Sequence, residues 1–509
     1  MPEKLVDVVI SGGGPNGLML AAELCLGGVR PVVLDRLPGP SQEPRANGLA
    51  GQVIRLLDMR GWYEELSGRS GPPRASAQFL FGGMTLPLAE VDPNPLHLLP
   101  IPQPQLVRYL AGRAHDLGAD IRWGHELVDL AQHGDEVVVT VSGPQGRYEL
   151  GARFLVGADG GKSTVRKKSG IGFPGATSDS VTRMGHVSLP GGLRAADGGL
   201  DVPGLGHLDF GFNRLETGLF VFVEIEPGRP IVAAAETGGP RTPDESPMTF
   251  AELRDAVGRV LGVDLPIGPP TGPGPHALRR IDGQNTRLAD RYRQRGVFLV
   301  GDAAHVHSGV GGPGLNLGLQ DTANLAWKLA AHLRGQAPAD LLDSYHAERH
   351  PVGARVMMHS LAQNALMLPG PEVTGLRELF AELLQLPQVA THIANLMAGS
   401  DVRYDTGDPH PLSGHLVGDV TLKNSGRVAG LLRGARPVLL DLSEGTEFAD
   451  IAGPWADRVD VVTAASPDAP ADALLVRPDG YVAWAADSTD ETGEPRLRQA
   501  LRRWFGDAA

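Results

Sequence analysis

Cysteine is almost missing from this chain: Cys25 stands alone among 509 residues. One thiol excludes an intramolecular disulfide, a CxxC dithiol and a cysteine-rich zinc site, and with them the dithiol flavin reductases. In its apolar surroundings Cys25 is expected to act as a small buried hydrophobe. Positive charge is also in short supply. The 46 Lys and Arg residues are outnumbered by 59 Asp and Glu, for a formal charge of -13, which argues against nucleic acid or an anionic membrane as partner and favours a small molecule. Long hydrophobic runs are lacking too, since none approaches the ~18 residues of a membrane span. A strand-like run begins at Leu5, which leaves no room for a basic and apolar presequence, so a soluble, cytoplasmic protein is expected. No metal site is anticipated. A chain of this length predicts two or three domains.

Glycine, by contrast, is plentiful at 68 residues, so a lone glycine motif carries little weight and its context decides. Residues 5–10 are few and rich in β-branched side chains, which predicts a buried strand of a parallel sheet. Gly12, Gly14 and Gly17 follow in GxGxxG spacing with Pro15 and Asn16 between them, and Leu18, Met19, Leu20, Ala21, Ala22 and Leu24 continue as helix. Strand, turn and helix in that order predict a nucleotide loop: Gly12 for the tight turn, Gly14 for close approach of a pyrophosphate, Gly17 for packing helix on strand. The helix N-terminus offers the anion a partial positive charge. A second strand, residues 31–34, ends at Asp35, 18 residues after Gly17, where a carboxylate can accept hydrogen bonds from an unphosphorylated ribose. FAD and NAD both meet that description.

Two distant segments favour the flavin. "FLVGADGGKSTVRKKSG" places Asp159 and Gly160 after the apolar residues 154–156, and "GVFLVGDAAHVHSGVGGPGLNLGLQDTANLAWKLA" places Gly301 and Asp302 after residues 297–300, ahead of a glycine loop and an amphipathic helix. Three such loops, spread over more than half of the chain, fit one long ligand better than a nicotinamide dinucleotide on a lone βαβ unit. Elsewhere "MGHVSLP", "GHLDFGFNR", "GLFVFVEIE" and "PIVAAAE" read as strands of an antiparallel sheet, with "IGPPTGPGP" as the crossing back. The leucine spacing of residues 374–397 predicts one helix, and residues 407–411 mark a boundary. Beyond it "PVLLDL", "VDVVTA" and "ALLVRPDGYVAWA" read as strands of an α/β tail.

The GxGxxG at Gly12, the DG at Asp159 and the GD at Asp302, joined by "DLLDSYHAERHPVGARV" and "RPDGYVAW", resemble the class A flavoprotein aromatic hydroxylases, which share the p-hydroxybenzoate hydroxylase fold. The similarity is closest to the polyketide hydroxylases of angucycline- and anthracycline-type ring systems and runs along essentially the whole chain. It implies a mixed α/β and α+β architecture: a Rossmann-like FAD-binding domain in two pieces, 1–175 and 275–360, and an inserted antiparallel-sheet substrate domain, 176–274. A helical connector, 361–405, and a thioredoxin-like domain without cysteines, 406–509, would follow. Lacking a dithiol, that tail is assigned to packing or to contacts in a homodimer.

Carried over by position, the resemblance implies that Gly12, Gly14 and Gly17 cradle the FAD diphosphate and that Asp35 takes the ribose site usually held by Glu. Pro15, Asn16, Arg36 and Leu127 join the same cofactor set. Arg45 would contact an FAD phosphate near the flavin, and Gln103 would bind FAD. Asp159, with Gly160, would serve FAD and NAD(P)H; Asp302, with Gly301, would bind the ribityl chain. Backbone N–H groups of Gly314, Leu315 and Asn316 would face the flavin pyrimidine edge. His307 and Arg45 are the candidate catalytic residues, whereas Trp327 is expected in the core and His305 shares the flavin-side turn. The family loop "HxPxGGQGMN" reads "HSGVGGPGLN" here, so Gly309 and Pro313 depart from it. Glycine for proline loosens a loop whose Gly309, Gly311, Gly312 and Pro313 are expected to meet substrate.

The activity so implied is a monooxygenation. NADPH or NADH reduces FAD, O2 adds at flavin C4a, and the hydroperoxide oxygenates an electron-rich ring of an aromatic polyketide. Baeyer–Villiger or ring-rearranging oxygenation of a polyketide is the alternative, and a non-catalytic FAD-binding or assembly protein is the second.

Overall fold

Val8, Val9 and Ile10 are fully buried in the strand Leu5–Ser11, because parallel neighbours cover both of its edges and helices cover its faces. Val32–Asp35 pairs on one side and Gly146–Gly157 on the other; Asp120–Trp123 and Val297–Leu299 add beyond them, all parallel. Such doubly covered strands read as near-continuous apolar runs. In this computed structural model, which describes residues 5–224, 226–240, 246–423, 426–443, 447–487, 490 and 492–508, an antiparallel meander, Glu126–His133 and Glu136–Gly143, extends the same sheet through the first half of Gly146–Gly157. Register then places Ser11 beside Gly157 and Gly157 beside Leu299. The turns that follow, at residues 12–14, 158–160 and 300–302, therefore leave the sheet side by side at its C-terminal edge, where open α/β sheets bind ligands. Helices Pro15–Leu26 and Pro313–Leu333 pack on each other across this sheet.

A second, wholly antiparallel sheet runs in the order Gly211–Leu215, Gly218–Val223, Ile231–Thr237, Ser180–His186, Arg279–Asp282. Two expected strands shift. The one expected at "MGHVSLP" lies earlier, and "GHLDFGFNR" breaks in two, its first part pairing with Leu200–Val202 in a separate ribbon. The break is built by Asn213, whose side chain accepts from the Asp209 N–H and donates to the Asp209 carbonyl, at 2.8 Å each, folding the chain back before the next strand. Helix Phe250–Leu261 backs this sheet and was not anticipated. Thr249 caps it by accepting from the Glu252 N–H at 3.2 Å, and Gly262 ends it at φ 70°, the usual start and stop chemistry. Arg183, itself buried, bonds Glu236 on the sheet at 3.0 Å and Glu252 on the helix at 2.7 Å.

The single helix expected over residues 374–397 is two, Pro371–Leu384 and Pro387–Ala398. Pro387 forces the residue before it out of the helical region, and Leu386 sits at ψ 122°. In the tail, Val438–Asp441 pairs in parallel with Asp460–Thr463 and antiparallel with Ala473–Val476, which pairs antiparallel with Val482–Ala486. Leu439, Trp484, Trp504 and Phe505 form its core together with Trp327 of the long helix Pro313–Leu333. Trp327 is thus a core residue, as expected. Cys25 is only part-buried, yet burial suffices to push its thiol up to about 11.

Candidate active site

The first loop is shaped by steric exclusion. Gly12 adopts φ 114°, and a Cβ there would lie 2.3 Å from the Ala158 carbonyl oxygen, so only glycine passes between the two strand ends. Nothing lies within 4 Å of a Cβ built on Gly14, which opens onto a cavity. The helix Pro15–Leu26 begins there without a side-chain cap, leaving first-turn N–H groups for an anion. Asp35 lines the cavity and also braces the loop: its Oδ2 accepts from the Gly13 N–H at 2.6 Å and its Oδ1 from the Leu37 N–H at 2.8 Å.

At the second strand end, Asp159 combines two tasks. Its Oδ2 accepts from the Thr164 and Val165 N–H groups at 2.7 and 3.1 Å, capping the helix Thr164–Lys168, while Oδ1 is buried with no partner in the protein. Burial pushes this carboxyl up against the pull of its hydrogen bonds. At the third, Asp302 is exposed in the turn Gly301–Ala303 and faces the cavity.

One cavity of about 1340 Å³ joins these three turns. Pro15, Asn16, Arg36, Gln103, Leu127 and Gly160 share its walls with Gly12, Gly14, Asp35, Asp159 and Asp302, and so do Arg45, His307, Gly309, Gly311 and Gly312. Gly314, Leu315 and Asn316 line it at the start of the helix Pro313–Leu333. Three of the anticipated residues stand behind the wall instead. Gly17 packs helix against loop, its virtual Cβ 1.9 Å from the Gly12 carbonyl oxygen; Gly301 lies 1.8 Å from Asn16 Nδ2 by the same measure. Pro313 is buried at the first helical position, where its missing N–H costs nothing. None of the three lines the cavity. Asn16, wedged between Gly301 and Gly318, keeps a buried Oδ1 without a partner.

Polar roles differ between the candidates. Arg45 is 63% exposed and pairs with Glu43 at 3.4 Å, so the protein does not fix its orientation. His307 donates from Nδ1 to the Ser308 carbonyl at 2.9 Å, and burial holds its pKa below the usual imidazole value. His305 is fully buried behind it, the two rings stacked with centroids 6.4 Å apart, and Nε2 lies 2.6 Å from Asp321. The Asn316 side chain accepts from the Ala50 N–H at 3.0 Å and donates to the Gly312 carbonyl at 2.8 Å. The loop expected to be loose is closed by a hydrogen bond from the Gly312 N–H to the Gly309 carbonyl at 3.0 Å.

The antiparallel sheet expected to cover the substrate does line the cavity, but it shares the roof with a hairpin that was not foreseen. Gln78, Phe79, Leu80 and Thr85 come from the hairpin Gln78–Phe81 and Met84–Pro87, and Phe210 and Phe212 from the antiparallel sheet and its entry. Gly82 and Gly83, both at positive φ, form a Gly-Gly turn between apolar alternations, a legible hairpin signal. Among the described residues no group of three His, Cys, Asp or Glu is placed to hold a metal ion, and no helix is long and apolar enough to cross a membrane.

The site fits FAD on its own terms. An uncapped helix start under an open glycine, two orphaned buried oxygens on Asp159 and Asn16, and a long cavity along three strand ends suit a dinucleotide. Residues 5–360 match the family model described as FAD binding domain, and residues 410–508 match that of the aromatic-ring hydroxylase C-terminal region. The chain belongs to this family of FAD-dependent aromatic monooxygenases. It is 40% identical, over 99% of both chains, to the 12-dehydrotetracycline 5-monooxygenase/anhydrotetracycline 6-monooxygenase of Streptomyces rimosus. A solved structure of an anhydrotetracycline hydroxylase from Streptomyces rimosus superposes with a TM-score of 0.88 at 38% identity, covering 99% of this chain and 100% of that one. A dialkyldecalin synthase of Streptomyces rugosporus is 36% identical over 99% of both chains.

Proposed function

We propose that this protein inserts one oxygen atom of O2 into an aromatic polyketide at the expense of NADPH or NADH. The observation that carries this reading is the single cavity of about 1340 Å³. It exceeds the roughly 300–1,000 Å³ of an ordinary ligand cleft and joins a dinucleotide floor to an aromatic roof. FAD, once bound, would supply the redox chemistry by which ring–H, O2, NAD(P)H and H⁺ become ring–OH, NAD(P)⁺ and water.

The protein binds, orients and excludes water. Gly12, Gly14 and the first turn of Pro15–Leu26 hold the diphosphate, with Arg45 beside it; Asp35 and Arg36 hold the ribose; Gln103, Leu127, Asp159 and Asp302 flank the rest of the dinucleotide. Backbone N–H groups of Gly314, Leu315 and Asn316 offer the positive end of a helix with no side-chain cap, which stabilises negative charge developing on the flavin pyrimidine edge. Phe79, Leu80, Phe210 and Phe212 bury the polyketide rings over residues 309–312. His307, tautomerically fixed by Ser308, accepts the substrate hydroxyl proton at Nε2. The discontinuous FAD domain, an inserted sheet domain that runs past the expected limit of 274 to its edge strand Arg279–Asp282, and a thioredoxin-like tail complete the reading, the last supported by its strand order.

Purified protein supplied with FAD and either NADPH or NADH should consume the nicotinamide faster when offered an aromatic polyketide such as anhydrotetracycline, with product heavier by one oxygen and all rings intact. Lactone formation would support the Baeyer–Villiger alternative. A rearranged product of unchanged mass would favour cyclisation chemistry, which the name of the dialkyldecalin synthase relative suggests.

A further inference from the structure

Three anions and three cations lie buried between the long helix and the tail, away from the cavity. Asp321 accepts from Arg349 Nε at 2.7 Å on one oxygen, and on the other meets His305 Nε2 at 2.6 Å and the Gly301 N–H at 3.4 Å. Beside Arg349 on the helix Ser344–Leu366, Glu348 receives Lys328 at 2.7 Å and both ends of the Arg477 guanidinium at 2.6 and 2.9 Å. Arg477, from the tail, is also paired with Asp479. Arg349 donates in addition to the Tyr404 hydroxyl at 2.9 Å; that ring stacks on Tyr481 of the tail, centroids 4.2 Å apart, and lies 5.2 Å from the Arg477 guanidinium. Arg349, Arg477 and Lys328 thus balance Asp321, Glu348 and Asp479, and all six side chains are buried.

Buried ion pairs add little stability over apolar packing, because desolvation offsets their attraction. What they supply is geometry. A chain of contacts runs from Arg477 and Tyr481 to Glu348 and Tyr404, on to Arg349, then to the Asp321 carboxylate, and ends on the N–H of Gly301, one residue before Asp302. We propose that the tail is a positioning device for this cofactor-facing turn, with Arg477, Arg349 and Asp321 as its positioning residues. This rests on the reading above that Asp302 holds FAD.

The test is a double-mutant cycle on FAD affinity, measured by fluorescence quenching, with circular dichroism and the visible flavin spectrum as controls on fold and environment. Arg477→Lys, which keeps the charge but loses the forked contacts, should weaken FAD binding about tenfold and shift the flavin bands. In an Asp302→Asn background the same change should have almost no further effect. Tyr404→Phe removes only the hydroxyl that receives Arg349 and should weaken FAD a few-fold; it carries the test should Arg477→Lys fail to fold. Equal weakening in both backgrounds, or unchanged affinity in a folded Arg477→Lys or Tyr404→Phe protein, would overturn the inference. Failure of the unaltered protein to bind FAD would instead overturn the reading on which it rests.

Discussion

The floor and the roof of the cavity are specified in different ways. The floor rests on backbone: at Gly12 a single added carbon would collide with the Ala158 carbonyl, and its N–H donors, like the strand-end side chains Asp35, Asp159 and Asp302 beside them, are placed by strand register. The roof is made of side chains, Phe79, Leu80, Phe210 and Phe212, on a hairpin and an antiparallel sheet; Phe210 is 50% exposed. A floor pinned at Gly12 in this way serves one ligand, whereas a roof of this kind can change its occupant by exchanging one aromatic for another.

The sharpest way to break that contrast is Gly12→Ala. Backbone collision at positive φ should cost about 4 kcal/mol and abolish FAD binding, read from the flavin content of purified protein. A protein that keeps its flavin would mean the floor is not sterically fixed. Next in size is a pH effect behind the roof. His359 is pushed down from 6.5 to about 4, chiefly by burial, with His307 and Arg355 adding repulsion. Between these values the unfolded chain binds a proton that the folded one refuses, so stability should fall by on the order of 3 kcal/mol as pH drops through that window. His359→Gln should flatten this part of the curve in urea titrations. Phe210→Ala should raise KM for the polyketide about tenfold, the loss expected from one buried aromatic, with the FAD dissociation constant unmoved; a matching loss of FAD would erase the division between the two surfaces. Smallest of all, Gly309→Ala meets nothing within 4 Å and should change the unfolding free energy, read from urea titrations, by no more than the ~0.5 kcal/mol of a surface substitution.

What could be read from sequence follows the same division. Spacing encodes the floor, because GxGxxG, the acid at Asp35 and the strand-to-glycine segments at Asp159 and Asp302 each occupy a short window whose geometry is local. Whatever depends on chain segments meeting in space was hidden. The Asp35 carboxylate grips Gly13, 22 residues away; the Asn16 amide wedges between Gly301 and Gly318; Arg477 finds its partner 129 residues earlier. "RPDGYVAW" was read as part of one strand, yet residues 477–480 turn the hairpin between Ala473–Val476 and Val482–Ala486, and its arginine was not legible as the origin of an ionic chain. Other misses were local and avoidable: Leu386-Pro387 marks the end of a helix, and Thr249 three residues before Glu252 marks the start of one. The alternating stretches announced an antiparallel sheet, but not the fold-back that Asn213 makes on Asp209 at its entry.

Trp327 sits on the helix whose first turn lines the cavity, yet its indole belongs to the apolar cluster of the chain's last hundred residues. Those residues therefore own no complete interior. Grafting the equivalent segment of a relative onto this protein should succeed only when the indole's new neighbours leave the same space and Arg477 still meets Glu348, so evolution of the two parts is tied where they meet.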